Sequence, residues 1–429
     1  MLEAREFVQR INMQKNDSGF RGRILVLTYA FPPFKFPMAP TIAKQTAAIS
    51  KLGYNIDVVC AHQTTCLVEN DISLDDFIKE NILNIYRLKN PGITSRIQNK
   101  VQNLFGYGDL MSKLQRPITK LLMAMDLHKY DAIVTFSPIH SINLAMVEIK
   151  KKKKDVFWIA HFGDPWAANP LELSRIRNYW NKMHEVKMLK DIDCLVHNSK
   201  YSLELMLKNN TTRKPIHNIF LPHMFTKELY PQRAKACNFK TTIRYLGRLF
   251  GQRTPEPIFK AFLKLFDRRK DLINRIKLEV IGEVDDAAML KTSACLSLPK
   301  GMFEVIPGVN YVKSLELMYD ADILLLIEAD VRQNLFFPSK LADYMGANTP
   351  IVGVVPPGSS EEICKELGTW YAHPSDIDLI SEKLEQVINY CHSQNKKNWC
   401  EENYRKQFES QFVAQNYINF INEAKESNK

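Results

Sequence analysis

The feature that most constrains the fold is a repeated alternation of short apolar runs with helical patterns. Arg23–Thr28 (RILVLT) is followed by a loop, by a helical pattern opened by Pro40, and by a second apolar run, Asn55–Ala61. A strand, a helix and a strand in this order are typical of doubly wound parallel sheets. Further predicted strands are Ala132–Phe136, Val156–Ala160 and Cys194–Asn198. We therefore expect an α/β, Rossmann-like domain over residues 23–222.

A second series of the same kind occupies the rest of the chain. Its predicted strands are Thr242–Leu246, Lys277–Ile281, Val309–Val312, Ile323–Ile327 and Pro350–Val355. The polar, proline-containing residues 223–240 are a predicted linker between the two series. We expect a second Rossmann-like domain over residues 241–395, an amphipathic helix over 396–429, and an N-terminal arm or surface helix over 1–22.

The composition excludes several classes of protein. At 429 residues the chain is long for one hydrophobic core, and 45% hydrophobic with 24% charged residues is ordinary for a globular protein. No apolar run approaches the roughly 20 residues of a membrane helix, and the N-terminus has no signal-peptide core. The eight cysteines show no C-x-x-C spacing, which disfavours structural zinc or a disulfide framework. These observations favour a cytoplasmic protein.

The net charge of +11 favours anionic partners. Eight basic and two acidic residues lie between Arg87 and Tyr130, interleaved with apolar side chains. Such a segment can lie on an anionic membrane surface, or its apolar residues can face the core. The same two alternatives apply to Lys150–Lys154, which suits either a solvated turn or a lipid headgroup layer. No recognised module for nucleic acid is present.

Two segments of the second series combine cationic residues with predicted strand ends and a helix start. Arg248 and Arg253 follow the run that ends at Leu246, where open α/β sheets place ligands. Pro338-Ser339 opens a predicted helix after Ile323–Ile327, with Ser339 as its expected N-cap. A helix N-terminus is a ready site for anions. The predicted diphosphate site consists of Gly247, Arg248, Arg253, Ser339, Lys340 and Leu341.

From Arg23 to the C-terminus, the chain resembles GT-B glycosyltransferases, most closely the retaining, nucleotide-sugar-dependent family 4. In that family, a Gly-Arg step and a Lys five residues later contact the donor diphosphate; here Gly247-Arg248 is followed by Arg253. The resemblance places the second acid of the family's Glu-x7-Glu pattern, a ribose contact, on Asp343, and the first on Leu335. It implies two Rossmann-like domains facing across a cleft, with the C-terminal helix packing back towards the first.

The resemblance also implies site residues in the first domain. Many relatives carry a loop histidine that contacts the transferred sugar, and this chain has Gly163 there. Asp164 is the best candidate for a sugar or acceptor contact, or for a base, and His161 is the second. The alternative makes Asp164 a turn cap and His161 a core residue. In the second domain, Glu283 follows the predicted strand Lys277–Ile281 and is a candidate contact for the nucleotide base.

The leading hypothesis is a hexosyltransferase that moves a sugar from a nucleoside-diphosphate sugar to a polysaccharide or lipid-linked acceptor, with retention of configuration. The donor is a substrate, and we expect no cofactor. The resemblance also implies no metal requirement, because in GT-B relatives the protein's cations neutralise the leaving group. Two alternatives stay open. A nucleotide-sugar 2-epimerase shares the architecture, and the departures at Leu335 and Gly163 are also typical of a catalytically degenerate subunit.

Overall fold

The computed structural model describes residues 8–12, 20–62, 69–89, 114–137, 139–167, 169, 174–210, 215–394 and 398–427. The chain divides into two compact units. Unit 1 comprises residues 1–222 and 410–429, and unit 2 comprises residues 223–409. Both units contain a parallel sheet with helical crossover connections, which confirms the prediction of two Rossmann-like folds.

Unit 1 is built on an eight-stranded sheet with the order β1-β4-β3-β2-β5-β6-β7-β8. All neighbours are parallel except β1, which pairs antiparallel with β4. The central strands are buried on both faces, as in β2, because crossover helices cover parallel sheets. The strands are β1 Val8–Asn12, β2 Gly22–Thr28, β3 Tyr54–Ala61, β4 Asn84–Leu88, β5 Ala132–Ser137, β6 Trp158–Phe162, β7 Cys194–His197 and β8 His217–Phe220.

Before residue 223, the helices of unit 1 are α1 Met38–Lys51, α2 Asp75–Asn81, α3 Gln115–Ala124, α4 Ser141–Lys152, α5 Arg175–Asp191 and α6 Lys200–Asn209. Helix α5 begins after Ser174, whose hydroxyl accepts the Arg177 N–H. Helices α4 and α5 pack against each other. One core cluster joins sheet and helices, with Leu25, Trp158 and Met188 among its members.

Unit 2 is built on a six-stranded, wholly parallel sheet with the order β11-β10-β9-β12-β13-β14. Its strands are β9 Thr241–Leu246, β10 Ile276–Ile281, β11 Phe303–Ile306, β12 Ile323–Ile327, β13 Ile351–Val354 and β14 Trp370–Ala372. Its helices are α7 Glu256–Arg268, α8 Ser293–Leu296, α9 Tyr311–Tyr319, α10 Ser339–Ala347, α11 Ser359–Leu367, α12 Ile377–His392 and α13 Glu402–Lys406. Two core clusters pack against this sheet.

The C-terminal segment returns to unit 1. Helix α14 Ser410–Ser427 packs against α1, and the Lys425 ammonium lies 3.2 Å from an Asp131 carboxylate oxygen. The prediction of one continuous helix over 396–429 is wrong, because α13 ends at Lys406 and α14 begins at Ser410. Tyr417 is buried, whereas Phe412 is exposed.

Three local predictions are also wrong. Residues Val309–Val312 are not a strand; Asn310 caps helix α9 by accepting the Lys313 N–H at 2.8 Å, and the strand is β11, earlier in the chain. Residues Val8–Asn12 of the N-terminal arm form β1, so the surface-helix alternative is wrong for these residues. Strand β6 lies two residues later than predicted, which places His161 inside the strand. A capping side chain that competes with a strand pattern explains the first error.

The basic segment 87–130 is partly described. Residues 90–113, which carry many of its charges, lie outside the described residues. Arg87 is buried, where its guanidinium donates to the Pro32 carbonyl. Leu114 and Leu122 are core residues. For these described apolar residues, the structure favours the core interpretation over the membrane one.

Candidate functional site

The ends of β9 and β12 define the candidate site of unit 2. Strand β9 leads to β10 on one side of the sheet, and its other neighbour, β12, leads to β13 on the opposite side. Such a reversal leaves a crevice at the carboxyl ends of the strands, where doubly wound folds bind ligands. Arg248 and Arg253 follow β9, and Glu328 follows β12. The predicted cationic residues therefore come to the switch point of the sheet.

Two glycines let the backbone pack tightly at this point. Gly247 has φ +133° and Gly282, after β10, has φ +145°. A Cβ on Gly282 would lie 2.3 Å from the Gly247 carbonyl oxygen, and a Cβ on Gly247 would lie 2.8 Å from the Lys340 Nζ. Only glycine fits both positions without strain. Gly247 therefore leaves the space that the Lys340 ammonium occupies.

Arg253 is held by a buried carboxylate. Its guanidinium lies 2.7 Å from the Glu328 Oε2, and the Glu328 side chain is only 4% exposed. The Arg253 guanidinium also lies over the Phe250 ring, 5.2 Å from its centroid. Within the described chain the second oxygen, Glu328 Oε1, is buried and has no hydrogen-bond partner. The pair therefore retains an acceptor that a ligand hydroxyl can satisfy.

Lys340 reaches the same place from the first turn of α10. Its ammonium donates to the Tyr245 hydroxyl at 2.9 Å and lies 4.2 Å from the centroid of that ring. Burial, and after it the Arg253 charge, lower the pKa of Lys340 to about 7, and the Glu328 carboxylate opposes both. An anion at this point would favour the charged ammonium.

The start of α10 differs from the prediction in its cap. The N-cap residue is Pro338 rather than Ser339, and no side chain accepts a hydrogen bond there. The Leu341 N–H donates to the Pro338 carbonyl at 3.0 Å, so a phosphate would have to compete with this carbonyl for the Leu341 amide. Within the described chain, the amide N–H groups of Ser339 and Lys340 have no hydrogen-bond acceptor. These two amides, at the positive end of the helix dipole, are therefore available to an anion.

Arg248 and Glu283 lie at the surface beside the buried cluster. The Arg248 side chain is 59% exposed, pairs with Asp285, and lies 3.7 Å from the Glu283 carboxylate. These carboxylates raise the pKa of Arg248, with the Asp285 hydrogen bond as the largest cause. The structure therefore places Glu283 as a neighbour of Arg248. A phosphate ligand would have to compete with Asp285 for this guanidinium.

Both the side chain and the backbone carbonyl of Asp343 accept hydrogen bonds within unit 2. The Tyr311 hydroxyl donates to its Oδ1 at 2.9 Å, and the Tyr230 hydroxyl donates to its backbone carbonyl at 2.8 Å. Asp343 is 6% exposed. Leu335 leaves the first acidic position of the family pattern without a carboxylate.

A pocket of about 270 Å³ opens beside Glu328. Polar groups that can pair with hydroxyls line it together with apolar strand ends. Its lining residues are Gln252, Thr254, Glu256, Pro257, Lys260, Ile327, Glu328, Asp330, Val354, Pro374, Ser375 and Ile377. Within the described residues, no group of three or more His, Cys, Asp or Glu side chains is placed to hold a metal ion.

The unit 1 candidates fall into two different environments. His161 is 0% exposed inside β6, with its ring centroid 4.5 Å from that of Phe136 and 5.7 Å from that of Tyr417. This is the environment of a core residue, so the loop position predicted for His161 is wrong. Asp164 lies in the loop after β6, half-buried, and burial raises its pKa to about 6. Asp164 therefore has the proton affinity of a general base or acid near neutral pH.

The loop after β6 that carries Asp164 is held in place mainly by a contact with α5. The Ala167 N–H donates to the buried Glu185 carboxylate at 2.9 Å, and Trp166 stacks on His140 with ring centroids 4.7 Å apart. Burial raises the pKa of Glu185 to about 7, against the opposing Ala167 hydrogen bond. These contacts hold the loop against the helix.

Sequence reasoning missed the importance of Glu328 and the roles of Tyr245, Tyr311 and Glu185. Glu328 offers a signal, because an acid directly after an all-apolar strand stands at a carboxyl edge. The two tyrosines show no signal in the sequence. Their roles arise from pairs 95 residues apart, Tyr245 with Lys340, and 32 residues apart, Tyr311 with Asp343.

Comparison with known proteins places part of the chain beside a described family. Residues 228–407 match the family model of glycosyl transferases group 1. Most of unit 2 is therefore similar to the group 1 glycosyl transferase domain. The matched range contains the Arg253–Glu328 pair, Lys340 and the start of α10. A search of functionally curated proteins found no match.

Solved structures show that the chain has the GT-B fold. Sucrose-phosphate synthase from Thermosynechococcus elongatus superposes with a TM-score of 0.66 at 13% identity, covering 95% of this chain and 100% of that one. HepE of Anabaena, solved with UDP and glucose, superposes with a TM-score of 0.63 at 12% identity, covering 94% of this chain and 100% of HepE. A trehalose-phosphate synthase (UDP-forming) from Burkholderia xenovorans, solved with glucose-6-phosphate, superposes with a TM-score of 0.63 at 11% identity. The match covers 94% of this chain and 100% of the synthase. At these identities, the likeness concerns the fold alone.

Proposed function

We propose that this protein transfers a sugar from a nucleoside-diphosphate sugar to a glycan or lipid-linked acceptor, with retention of configuration. The observation that carries the proposal is the cationic cluster of Lys340 and Arg253 at the start of α10, in a domain similar to that of group 1 glycosyl transferases. Glu328 pairs with Arg253, and the Lys340 ammonium donates to the neutral Tyr245 hydroxyl, so the cluster has an excess positive charge when Lys340 is protonated. That excess suits the diphosphate that leaves the sugar.

The donor diphosphate would be held by the Lys340 ammonium, the Arg253 guanidinium and the amides of Ser339 and Lys340. Charge develops on the leaving diphosphate as the glycosidic bond breaks, and preorganised donors stabilise it at no cost in reorganisation. Arg248 would join by exchanging Asp285 for a phosphate oxygen. Asp343 is proposed as a positioning residue that orients Tyr311, in place of the expected ribose contact.

The pocket beside Glu328 would take a hydroxyl-rich part of the donor. Glu328, Asp330, Thr254 and Ser375 supply carboxylate and hydroxyl groups at its wall. Glu328 Oε1, buried and without a hydrogen-bond partner in the described chain, is the group that a ribose or hexose hydroxyl would satisfy.

In unit 1, Asp164 is proposed as the acidic contact for the transferred sugar or the acceptor hydroxyl. Its pKa of about 6 lets it accept a proton and release it again near neutral pH. Because His161 is enclosed in the core, it is not given a catalytic role. HepE was solved with UDP and glucose, so UDP is the first nucleotide to try with this chain.

Thermal unfolding of the full chain with UDP, GDP, ADP and TDP, and with CMP as a monophosphate control, tests the proposal. At about a hundred times its dissociation constant, a ligand adds about 2.7 kcal/mol, which raises Tm by roughly 5–10 °C for a unit of this size. Lys340→Met should remove the shift, and the matched Lys291→Met, at an exposed lysine of unit 2, should keep it. A shift of equal size in both variants would contradict the proposed site.

Diphosphate binding should also depend on pH through Lys340. The charged ammonium binds the anion, and the pKa of about 7 in the free protein means that the charge is lost as pH rises above 7. Affinity should therefore fall between pH 7 and 9, by up to about tenfold per pH unit, with proton uptake on binding. Calorimetry in buffers of different ionisation enthalpy measures that uptake.

Lys340→Arg is the control for this pH dependence, because arginine stays charged throughout the range. The variant should bind with an affinity that is nearly constant from pH 7 to 9. The same decline in Lys340→Arg as in the natural chain would assign the titration to another group.

A non-catalytic role is the second candidate. Asp343 is occupied by Tyr311, and Leu335 supplies no carboxylate, as expected for a degenerate subunit. No stabilisation by any diphosphate on well-folded protein would favour this role. If a nucleotide sugar binds and is converted without any acceptor, the 2-epimerase alternative is correct.

A further inference from the structure

Helix α5 has one buried face and one exposed face. Its buried residues include Glu185, Met188 and Leu189, which pack on unit 1 and hold the Asp164 loop. The opposite face carries Ile176, Tyr179 and Met183, which are 53%, 61% and 51% exposed. These positions follow helical spacing, and Ile176 and Met183 lie about 10 Å apart along the axis.

The same exposed face is basic and lacks acidic side chains. Its exposed charged residues are Arg175, Lys182, Lys187 and Lys190. The two acidic residues of the helix are elsewhere: Glu185 is buried, and Asp191 is half-buried at the last residue. An apolar stripe flanked by lysine and arginine is typical of helices that lie in a membrane interface.

The end of α4 extends this basic surface. Helices α4 and α5 follow neighbouring parallel strands, so both run against the sheet and end at the same edge. The Lys150 ammonium, at the end of α4, lies 2.7 Å from the Asp193 carboxylate, just after α5. The Lys153 ammonium donates to the Met125 carbonyl. Lys151, Lys152 and Lys154 stay exposed beside the end of α5.

We propose that the exposed face of α5, with the exposed lysines at and just after the end of α4, is a docking surface for an anionic lipid bilayer. The three apolar side chains would enter the interface, and the flanking cations would contact acidic headgroups. A second copy of the chain fits less well, because a symmetric interface would bring the same lysines together. Within the described residues, no helix is long and apolar enough to cross a membrane, so the proposal concerns surface attachment.

Sedimentation of the full chain with vesicles tests this surface. Binding should be strong with vesicles of phosphatidylcholine mixed with phosphatidylglycerol, weak with phosphatidylcholine alone, and reduced at about 1 M salt. Each lysine near an anionic surface contributes about fivefold in affinity. Lys182→Gln with Lys187→Gln should therefore weaken binding roughly 25-fold, and Ile176→Ser with Met183→Ser should weaken it at unchanged charge.

Matched controls lie in unit 2, on exposed residues of the same kinds. Phe239→Ser with Leu296→Ser, and Lys291→Gln with Lys300→Gln, should bind the mixed vesicles like the natural chain. All variants should keep the natural Tm, since the changed side chains are exposed. Equal vesicle binding in the α5 variants, or no preference for phosphatidylglycerol, overturns the proposal. Self-association that is lost with Ile176→Ser and Met183→Ser, without vesicle binding, would assign the face to a second copy.

Discussion

Gly282→Ala is expected to destabilise the protein by roughly 4 kcal/mol, among the largest effects of a single substitution. Gly282 has φ +145°, a conformation reserved for glycine, and the added Cβ would lie 2.3 Å from the Gly247 carbonyl oxygen. Because the obstructing atom belongs to the backbone, relief requires movement of the turn that carries Gly247 and Arg248. Urea denaturation followed by circular dichroism measures the change in the free energy of unfolding.

Gly301→Ala is the matched control, at a glycine with the same kind of backbone and open space. Its φ is +75°, and nothing lies within 4 Å of an added Cβ. Backbone strain alone should cost about 1–2 kcal/mol. If Gly282→Ala costs no more than Gly301→Ala, the tight packing of Gly282 on Gly247 is wrong.

Arg253→Met should destabilise unit 2 by about 3 kcal/mol, because removal of one partner leaves a buried charge. Glu328 is 4% exposed, and Arg253 provides its ion pair. Methionine keeps a similar length, so the loss reports the charge rather than a cavity. Denaturation of the full chain in urea measures the effect, and the same variant should lose nucleotide stabilisation.

The double variant Arg253→Met with Glu328→Met should recover most of that stability, because a buried ion pair exchanged for apolar groups is often neutral. The two substitutions therefore should not add, and the interaction energy is read from a double-mutant cycle. Arg248→Met is the control, because its pair with Asp285 is exposed and should contribute less than about 1 kcal/mol. Additive losses at Arg253 and Glu328 would show that they are not coupled.

Much of the fold could be predicted from sequence because parallel strands are apolar on both faces. Runs such as Ile323–Ile327 therefore stand out, and the helices between them give the order of the units. Prediction failed where a local cap decided the structure. Asn310 starts α9 inside a run that suggests a strand, and Pro338 takes the place expected for Ser339. Caps depend on backbone angles that composition does not reveal.

For the site, the sequence by itself determined which residues are candidates for phosphate binding. Arg253 lies in the segment after β9 and Lys340 in the segment after β12, and these two strands are neighbours in the sheet. Only the tertiary structure decided their environment. Glu328 pairs with Arg253 across 75 residues, Tyr311 occupies Asp343, and His161 is enclosed in the core. Likewise, the exposure of Ile176, Tyr179 and Met183 became evident only once α5 had packed. The physical reason is that charge, burial and exposure depend on neighbours that are distant in the chain, and a linear pattern reports only the near ones.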